Sequence, residues 1–295
     1  MRISSLAILF PMTNEQDAAL LAQKIRQNVR NSLDEDIGSG DLTAMLLPED
    51  LTARAILITR QSGVLCGTQW FDECFSLLDA GCKITWHAKD GDSIKPSQTL
   101  CEIEGKARSM LSAERNALNF LQTLSGTATA TRRYVDAVKG TRARIMDTRK
   151  TLPGLRDAQK YAVRMGGGHN QRMGLYDGIL IKENHIAAAG GIAAVLEKAF
   201  RIAQDRTSVQ IEVETMVELD EALAAGAKLI LLDNFDIDML AAAVKHTDGR
   251  AELEASGGIT LSSIREVAET GVDRISIGAL TKDVEALDLS MRIVK

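Results

Sequence analysis

The chain has 295 residues, 35 of them basic and 40 acidic, for a net charge of −5. Hydrophobic residues make up 45% and charged residues 25%, ordinary proportions for a globular protein long enough to bury a core without disulfides or metals. The acidic balance removes any global electrostatic case for nucleic acid, so an anion site has to be a local cluster of cations.

Met1 to Phe10 contain an apolar stretch too short for a transmembrane helix, and no small-residue cleavage site follows it. Residues 1–12 therefore read as a disordered tail. Apolar positions at helical spacing (Ala18, Leu21, Ile25, Val29, Leu33) predict a helix over 14–34. An acidic loop follows, in which Asp41 can cap the next short stretch. Strands are predicted over 53–59, from 64 to 67, over 84–89 and over 99–105, with a helix over 70–78. Strands without βαβ alternation suggest a small α+β domain. Cys66, Cys74, Cys82 and Cys101 form no Cys-x-x-Cys pair, which argues against zinc and for reduced thiols in a cytoplasmic protein. A long helix over 107–138 carries Leu111, Leu118, Leu121 and Leu124 on one face, and Gly126 is expected to break or bend it.

After Gly140 the texture changes to βαβ alternation. Strands are predicted near 143–146, 178–181, 209–213, 229–232, 251–255 and 274–277. The helices between them fall at 155–165, 192–203, 216–225, 237–245 and 261–270. Such repetition calls for parallel strands with right-handed crossovers, in an open doubly wound sheet or a barrel. Polar residues follow the strands on nearly every unit, which favours one functional rim of a TIM-like barrel.

The candidate residues cluster at those strand ends. Arg149 and Lys150 follow the first strand, and Arg172 and Lys182 sit at equivalent rim positions. Convergent arginine forks and lysine point charges suit a polycarboxylate. Gln210, Glu212 and Glu214 alternate onto one face of their strand, and Asp233 ends the next. Carboxylates at adjacent strand ends suit Mg²⁺ held together with substrate phosphates, or a cationic transition state, or a salt bridge to Lys150 or Lys182. Ser256-Gly257-Gly258 and Ile277-Gly278 follow the last two strands, where backbone amides can cradle a phosphate. The four histidines fit no metal spacing, and His185 reads as structural. The residues alone point to an enzyme for a polycarboxylate and a phosphorylated substrate.

Several ordered blocks then become recognisable. They are Glu114–Asn119, Asp147–Arg156, Gly166–Gly168, Arg172–Leu175, Ile181–His185, Leu232–Asn234, Ser256–Gly258 and Ala286–Arg292. From about residue 20 to Arg292 the chain resembles the quinolinate phosphoribosyltransferases. The resemblance implies a six- or seven-stranded TIM-like α/β barrel over 117–280. A separate N-terminal α+β domain would span 13–116 and be completed by the C-terminal segment 281–295. It implies a homodimer in which the partner subunit supplies its arginine 115. The implied substrates are quinolinate and phosphoribosyl pyrophosphate, with Mg²⁺ as cofactor. Arg149, Gln171, Arg172, Lys182 and Arg115 would clamp quinolinate. Lys150, Glu212 and Asp233 would meet the sugar and pyrophosphate, with Glu212 and Asp233 also the metal ligands. Lys150, Lys182, Glu212 and Asp233 would carry catalysis, and Ser256, Gly257, Gly258, Ile277 and Gly278 would hold the 5′-phosphate.

Two positions depart from the family pattern. Gln171 stands where relatives usually have histidine; it can donate a hydrogen bond but cannot titrate near neutrality. His169, two residues earlier, is a candidate replacement. Lys282 and Asp283 stand where many relatives carry another histidine. Three alternatives follow: a shifted heterocyclic acid substrate, a ligand-binding paralogue without catalysis, and a Schiff-base lyase using Lys182.

Overall fold

A computed structural model describes residues 14–204 and 206–294, so the expected tail lies outside the described residues. The chain divides into two compact units. One consists of Glu15–Arg132, Lys150–Gly168 and Ala279–Lys295, the other chiefly of Arg133–Arg149 and His169–Gly278.

The first unit opens with α1 (Asn14–Ile37), whose Ile25, Val29 and Leu33 enter the core at the spacing the sequence sets. Asp41 does cap the turn that follows. Its Oδ1 accepts the N–H groups of Thr43 and Ala44 at 2.9 Å each, and its Oδ2 accepts the Ser112 hydroxyl at 2.7 Å. The Ala44 amide, then Ser112, hold this carboxyl below the usual range. Next come β1 (Thr52–Thr59), β2 (Gly63–Val64), α2 (Thr68–Leu78), β3 (Lys83–Trp86), β4 (Ser93–Ile94) and β5 (Thr99–Lys106). The two-residue β4, absent from the sequence reading, pairs with β2. Trp70, Phe71 and Phe75 of α2 are buried against this sheet and α1.

The C-terminal strand Leu289–Val294 pairs antiparallel with β1, from Arg54↔Val294 to Thr59↔Leu289. The sheet order is therefore the C-terminal strand, β1, β5, β3. The last residues of the chain complete the sheet that the first strand began.

The long helix α3 (Ala107–Ala137) runs through Gly126 unbroken, against expectation. The glycine answers a steric need instead. A Cβ there would come within 2.1 Å of the Glu285 carbonyl oxygen, so only glycine lets the returning chain pass. In α4 (Arg156–Met165), Gln159 is fully buried. It accepts the Leu152 N–H at 2.8 Å and donates to the Thr281 carbonyl at 2.8 Å. The Thr281 hydroxyl in turn donates to the Lys150 carbonyl at 2.7 Å. These bonds fix the backbone of the Lys150–Leu152 loop.

The second unit is the βαβ part. Its strands are β6 (Arg144–Met146), β7 (Gly178–Ile181), β8 (Ser208–Val213), β9 (Leu229–Asp233), β10 (Glu252–Ser256) and β11 (Arg274–Ser276). All six pair in parallel, in the order β6-β11-β10-β9-β8-β7. The helices are α5 (Glu183–Ala189), α6 (Ile192–Ala203), α7 (Met216–Ala224), α8 (Ile237–Thr247) and α9 (Ile264–Glu269). Thr215 and Asp236 cap α7 and α8 through their side chains. The fold is thus mixed α/β, with a six-stranded parallel sheet and a separate antiparallel sheet. Among the described residues no helix is long and apolar enough to cross a membrane. All four cysteines are free, and Cys66, Cys74 and Cys101 are buried.

Candidate active site at the carboxyl ends of the parallel strands

In parallel strands the side chains of registered residues share a face. Leu180 pairs with Gln210, and Glu212 pairs with Leu231. Stepping by two, Lys182, Glu212 and Asp233 all fall on one face at the carboxyl ends of β7, β8 and β9. Lys182 Nζ lies 2.6 Å from Glu212 Oε2. Glu212 is 8% exposed, and a carboxylate so buried needs this cation to offset its lost hydration. Asp233 is half-buried and accepts from the Asn234 side chain at 2.9 Å. Glu214, two residues past Glu212, is exposed. His185 is structural as expected: its Nδ1 accepts the Lys182 N–H at 3.0 Å at the start of α5.

The second part of the site is built around Asp147, which follows β6 and is fully buried. Segment 169–172 runs beside β6, with Met146 bridged to His169. Asp147 clasps this segment. Its Oδ1 accepts the Gln171 N–H at 2.8 Å, and its Oδ2 accepts the Asn170 amide at 2.6 Å. Arg172 donates to the Gly178 carbonyl of β7 at 2.8 Å. Burial, then the nearby Arg149 guanidinium, push the Arg172 pKa down. It stays a cation, and repulsion between the two guanidiniums favours an anion that would relieve it.

The glycine turns complete the rim. Ser256 ends β10 in register with Asp233. Gly257 has φ +104°, and a Cβ there would lie 2.2 Å from Asn234 Oδ1, so the turn after β10 packs closely on the one after β9. The Asn234 N–H donates to the Ser256 carbonyl at 3.0 Å. Ile277 donates to the Met146 carbonyl at 3.0 Å and leads into Gly278.

The second unit therefore carries Arg149, Gln171, Arg172, Lys182, Glu212, Asp233, Ser256, Gly257, Gly258, Ile277 and Gly278. Within it Lys182 joins Glu212, Arg172 neighbours Arg149, and the Ser256–Gly257 turn packs on the Asp233–Asn234 turn. Lys150 and Arg115 belong to the first unit and are exposed, Arg115 on α3. His169 has Arg144 and Arg274 as its electrostatic neighbours, and burial first and these arginines next lower its pKa. Lys282 pairs with Asp283 on the surface.

One residue of the network escaped the sequence reading. Glu254 lies in β10, fully buried. It accepts from the Gln171 amide, and from the Gln210 amide at 3.0 Å. Burial pushes its pKa up, opposed by hydrogen bonds from Gln210 and Ser276, the charge of Arg274 and the bond from Gln171. Its signal was the one used for Glu212, an acid on the polar face of an otherwise apolar strand.

Among the described residues no group of three or more His, Cys, Asp or Glu could hold a metal. Two carboxylates on one face, Glu212 and Asp233, remain. That donor set fits Mg²⁺, which binds through one or two acids and fills its shell with water and substrate phosphate oxygens.

A parallel α/β unit that gathers arginines, lysine and acids at its strand ends is an enzyme for a polyanionic substrate. The descriptions "Quinolinate phosphoribosyl transferase, N-terminal domain" and "Quinolinate phosphoribosyl transferase, C-terminal domain" match residues 41–125 and 127–292. The chain is 45% identical to the probable nicotinate-nucleotide pyrophosphorylase [carboxylating] of Bacillus subtilis, over 88% of this chain and 90% of that one. It is 42% identical to the nicotinate-nucleotide pyrophosphorylase [carboxylating] of Mycobacterium leprae, over 90% of this chain and 96% of that one. The solved nicotinate-nucleotide pyrophosphorylase of Francisella tularensis superposes with a TM-score of 0.90 at 44% identity, covering 92% of this chain and 97% of that one. The chain belongs to the quinolinate phosphoribosyltransferase family.

Proposed function

We propose that this rim binds quinolinate and phosphoribosyl pyrophosphate. The reaction is phosphoribosyl transfer with decarboxylation, giving nicotinate mononucleotide, pyrophosphate and carbon dioxide in NAD biosynthesis. The observation that carries this reading is the Lys182–Glu212 ion pair at the carboxyl ends of β7 and β8, in the same unit as the neighbouring guanidiniums of Arg149 and Arg172.

Quinolinate is a dicarboxylate, and the guanidiniums of Arg149 and Arg172 match its two anionic arms. Lys182 adds a point charge beside them. Departure of pyrophosphate leaves an oxocarbenium-like sugar, which Glu212 and Asp233 stabilise electrostatically from the same face. The pyridine nitrogen then attacks the sugar, and the resulting pyridinium eases loss of the adjacent carboxylate. Lys150 meets the sugar–pyrophosphate, and the turns at Ser256–Gly258 and Ile277–Gly278 present amides to the 5′-phosphate. Mg²⁺, held by Glu212 and Asp233, supplies charge neutralisation to the pyrophosphate when bound.

The six parallel strands are read as a TIM-like barrel. Segment 169–172 supports closure, since it pairs with β6 through His169 and reaches β7 through Arg172. The protein is read as a homodimer with shared sites. The exposed position of Arg115 on α3, away from the second unit's rim in sequence, supports its delivery to a partner. The four free cysteines support a reducing, cytoplasmic setting.

The test is a direct assay of purified protein with quinolinate, phosphoribosyl pyrophosphate and Mg²⁺, following nicotinate mononucleotide. Product that requires all three, with none from nicotinate, supports the reading. Preference for nicotinate would replace it with a shifted heterocyclic acid. Binding of both substrates without product would favour the non-catalytic paralogue.

A further inference from the structure

We propose that Glu254 is a positioning residue for the quinolinate pocket, acting through Gln171. The inference rests on the reading of the rim as a quinolinate site. Gln171 is fixed at two points. Its backbone N–H is bound by Asp147 at 2.8 Å, and its side-chain Nε2 donates to Glu254. The same Nε2 points at Gln210 Oε1 at 3.5 Å, while Gln210 Nε2 holds the other Glu254 oxygen at 3.0 Å. The three side chains form a closed triangle in which the carboxylate accepts from both amides.

This arrangement decides which way the amide faces. Both Glu254 oxygens accept from amide NH₂ groups, so Gln171 turns its NH₂ inward. Its donor half is then spent on Glu254 and Gln210 rather than on a substrate carboxylate. Gln171 does its work by holding the segment that carries Arg172, one residue on. Arg172 is the cation whose guanidinium meets both Gly178 and the field of Arg149. Glu254, at the base of this chain of contacts, sets where Arg172 starts from. A 1 Å error there is enough to weaken a bidentate clamp severely.

The triangle also explains how glutamine serves at 171. A carboxylate with two amide donors and the Ser276 hydroxyl is satisfied without a neighbouring ring cation. Glu254→Gln breaks this, because the new amide offers one acceptor where two donors converge.

The experiment is a double-mutant cycle on the purified full chain, using Glu254→Gln, Gln171→Met and the double variant. KM is measured separately for quinolinate and for phosphoribosyl pyrophosphate. Each single variant is expected to raise the quinolinate KM roughly tenfold, the loss of one charge-assisted hydrogen bond. The phosphoribosyl pyrophosphate KM should stay within about twofold, and the double variant should be no worse than the weaker single one. Multiplicative effects, or both KM values rising together as in general core damage, would overturn the proposal. If Glu254→Gln does not fold, Gln210→Met takes its place in the cycle, since it frees the other Glu254 oxygen. A wild-type protein that makes no nicotinate mononucleotide would sink the quinolinate reading itself, a result separate from the outcome of the cycle.

Discussion

Lys182 and Glu212 join the ends of two neighbouring strands through a 2.6 Å ion pair, and the pair is lopsided. The acid side chain is 9% exposed and the lysine 45%, so the carboxylate anchors and the ammonium faces outward. Lys182→Met should cut turnover by about 10²–10³-fold, the loss expected for one preorganised charge. Its stability cost should be on the order of 2–4 kcal/mol, because methionine leaves the buried Glu212 carboxylate without its cation. Lys182→Arg should recover the melting temperature without the rate, since a planar fork does not replace a compact ammonium. Steady-state kinetics beside calorimetry would check both halves.

The shared-site dimer predicts complementation. Arg115→Ala and Lys150→Ala should each be nearly inactive. Mixed and allowed to exchange subunits, they should regain up to about a quarter of wild-type activity, since one hybrid site is intact. Flat activity after verified exchange would mean that each subunit works alone.

Gly126→Ala tests the close passage of Glu285. Alanine ordinarily favours a helix over glycine by about 1 kcal/mol. Here the Cβ would collide with a backbone carbonyl 2.1 Å away, so the sign should reverse. We expect a loss of about 1–3 kcal/mol, as for other overpacked sites, read as a lower melting temperature.

Asp41 offers a prediction in pH. Its folded pKa lies below the ordinary value of 3.8, so its contribution is present above that value and fades as pH falls through the folded pKa. Asp41→Asn should therefore be less stable than wild type at neutral pH, and the two unfolding curves should converge in strong acid. A constant gap at every pH would assign the effect to shape rather than charge.

Chelation should abolish turnover and added Mg²⁺ should restore it. Glu212→Gln and Asp233→Asn should each raise the Mg²⁺ concentration needed for half-maximal rate. An unchanged requirement in both variants would leave the metal held by substrate phosphates alone.

Much of this molecule is legible in the chain. β7, for example, is an apolar run between Gly178 and Lys182, and its end is marked by charge. Arg149, Arg172, Lys182, Glu212 and Asp233 stand out for the same local reason. What the sequence hides is long-range pairing. Strand Leu289–Val294 has no local signal of its own and gains its identity from β1, so its return to the first domain is expected from the family resemblance and not from the residue pattern. Gly126 looks like a helix breaker because its reason for being glycine, Glu285, is remote. Glu254 reads as one acid among many until Gln171 and Gln210 are seen to converge on it.

The place of that last strand bears on how the molecule is made. β1 leaves the ribosome early, yet one of its two neighbours in the sheet is Leu289–Val294. All six strands of the parallel sheet emerge before that neighbour does. The sheet begun by β1 thus waits with an open edge until Leu289–Val294 has been made. Birth order and completion order run opposite in this sheet, and deleting Leu289–Val294 would strip β1 of one of its two neighbours.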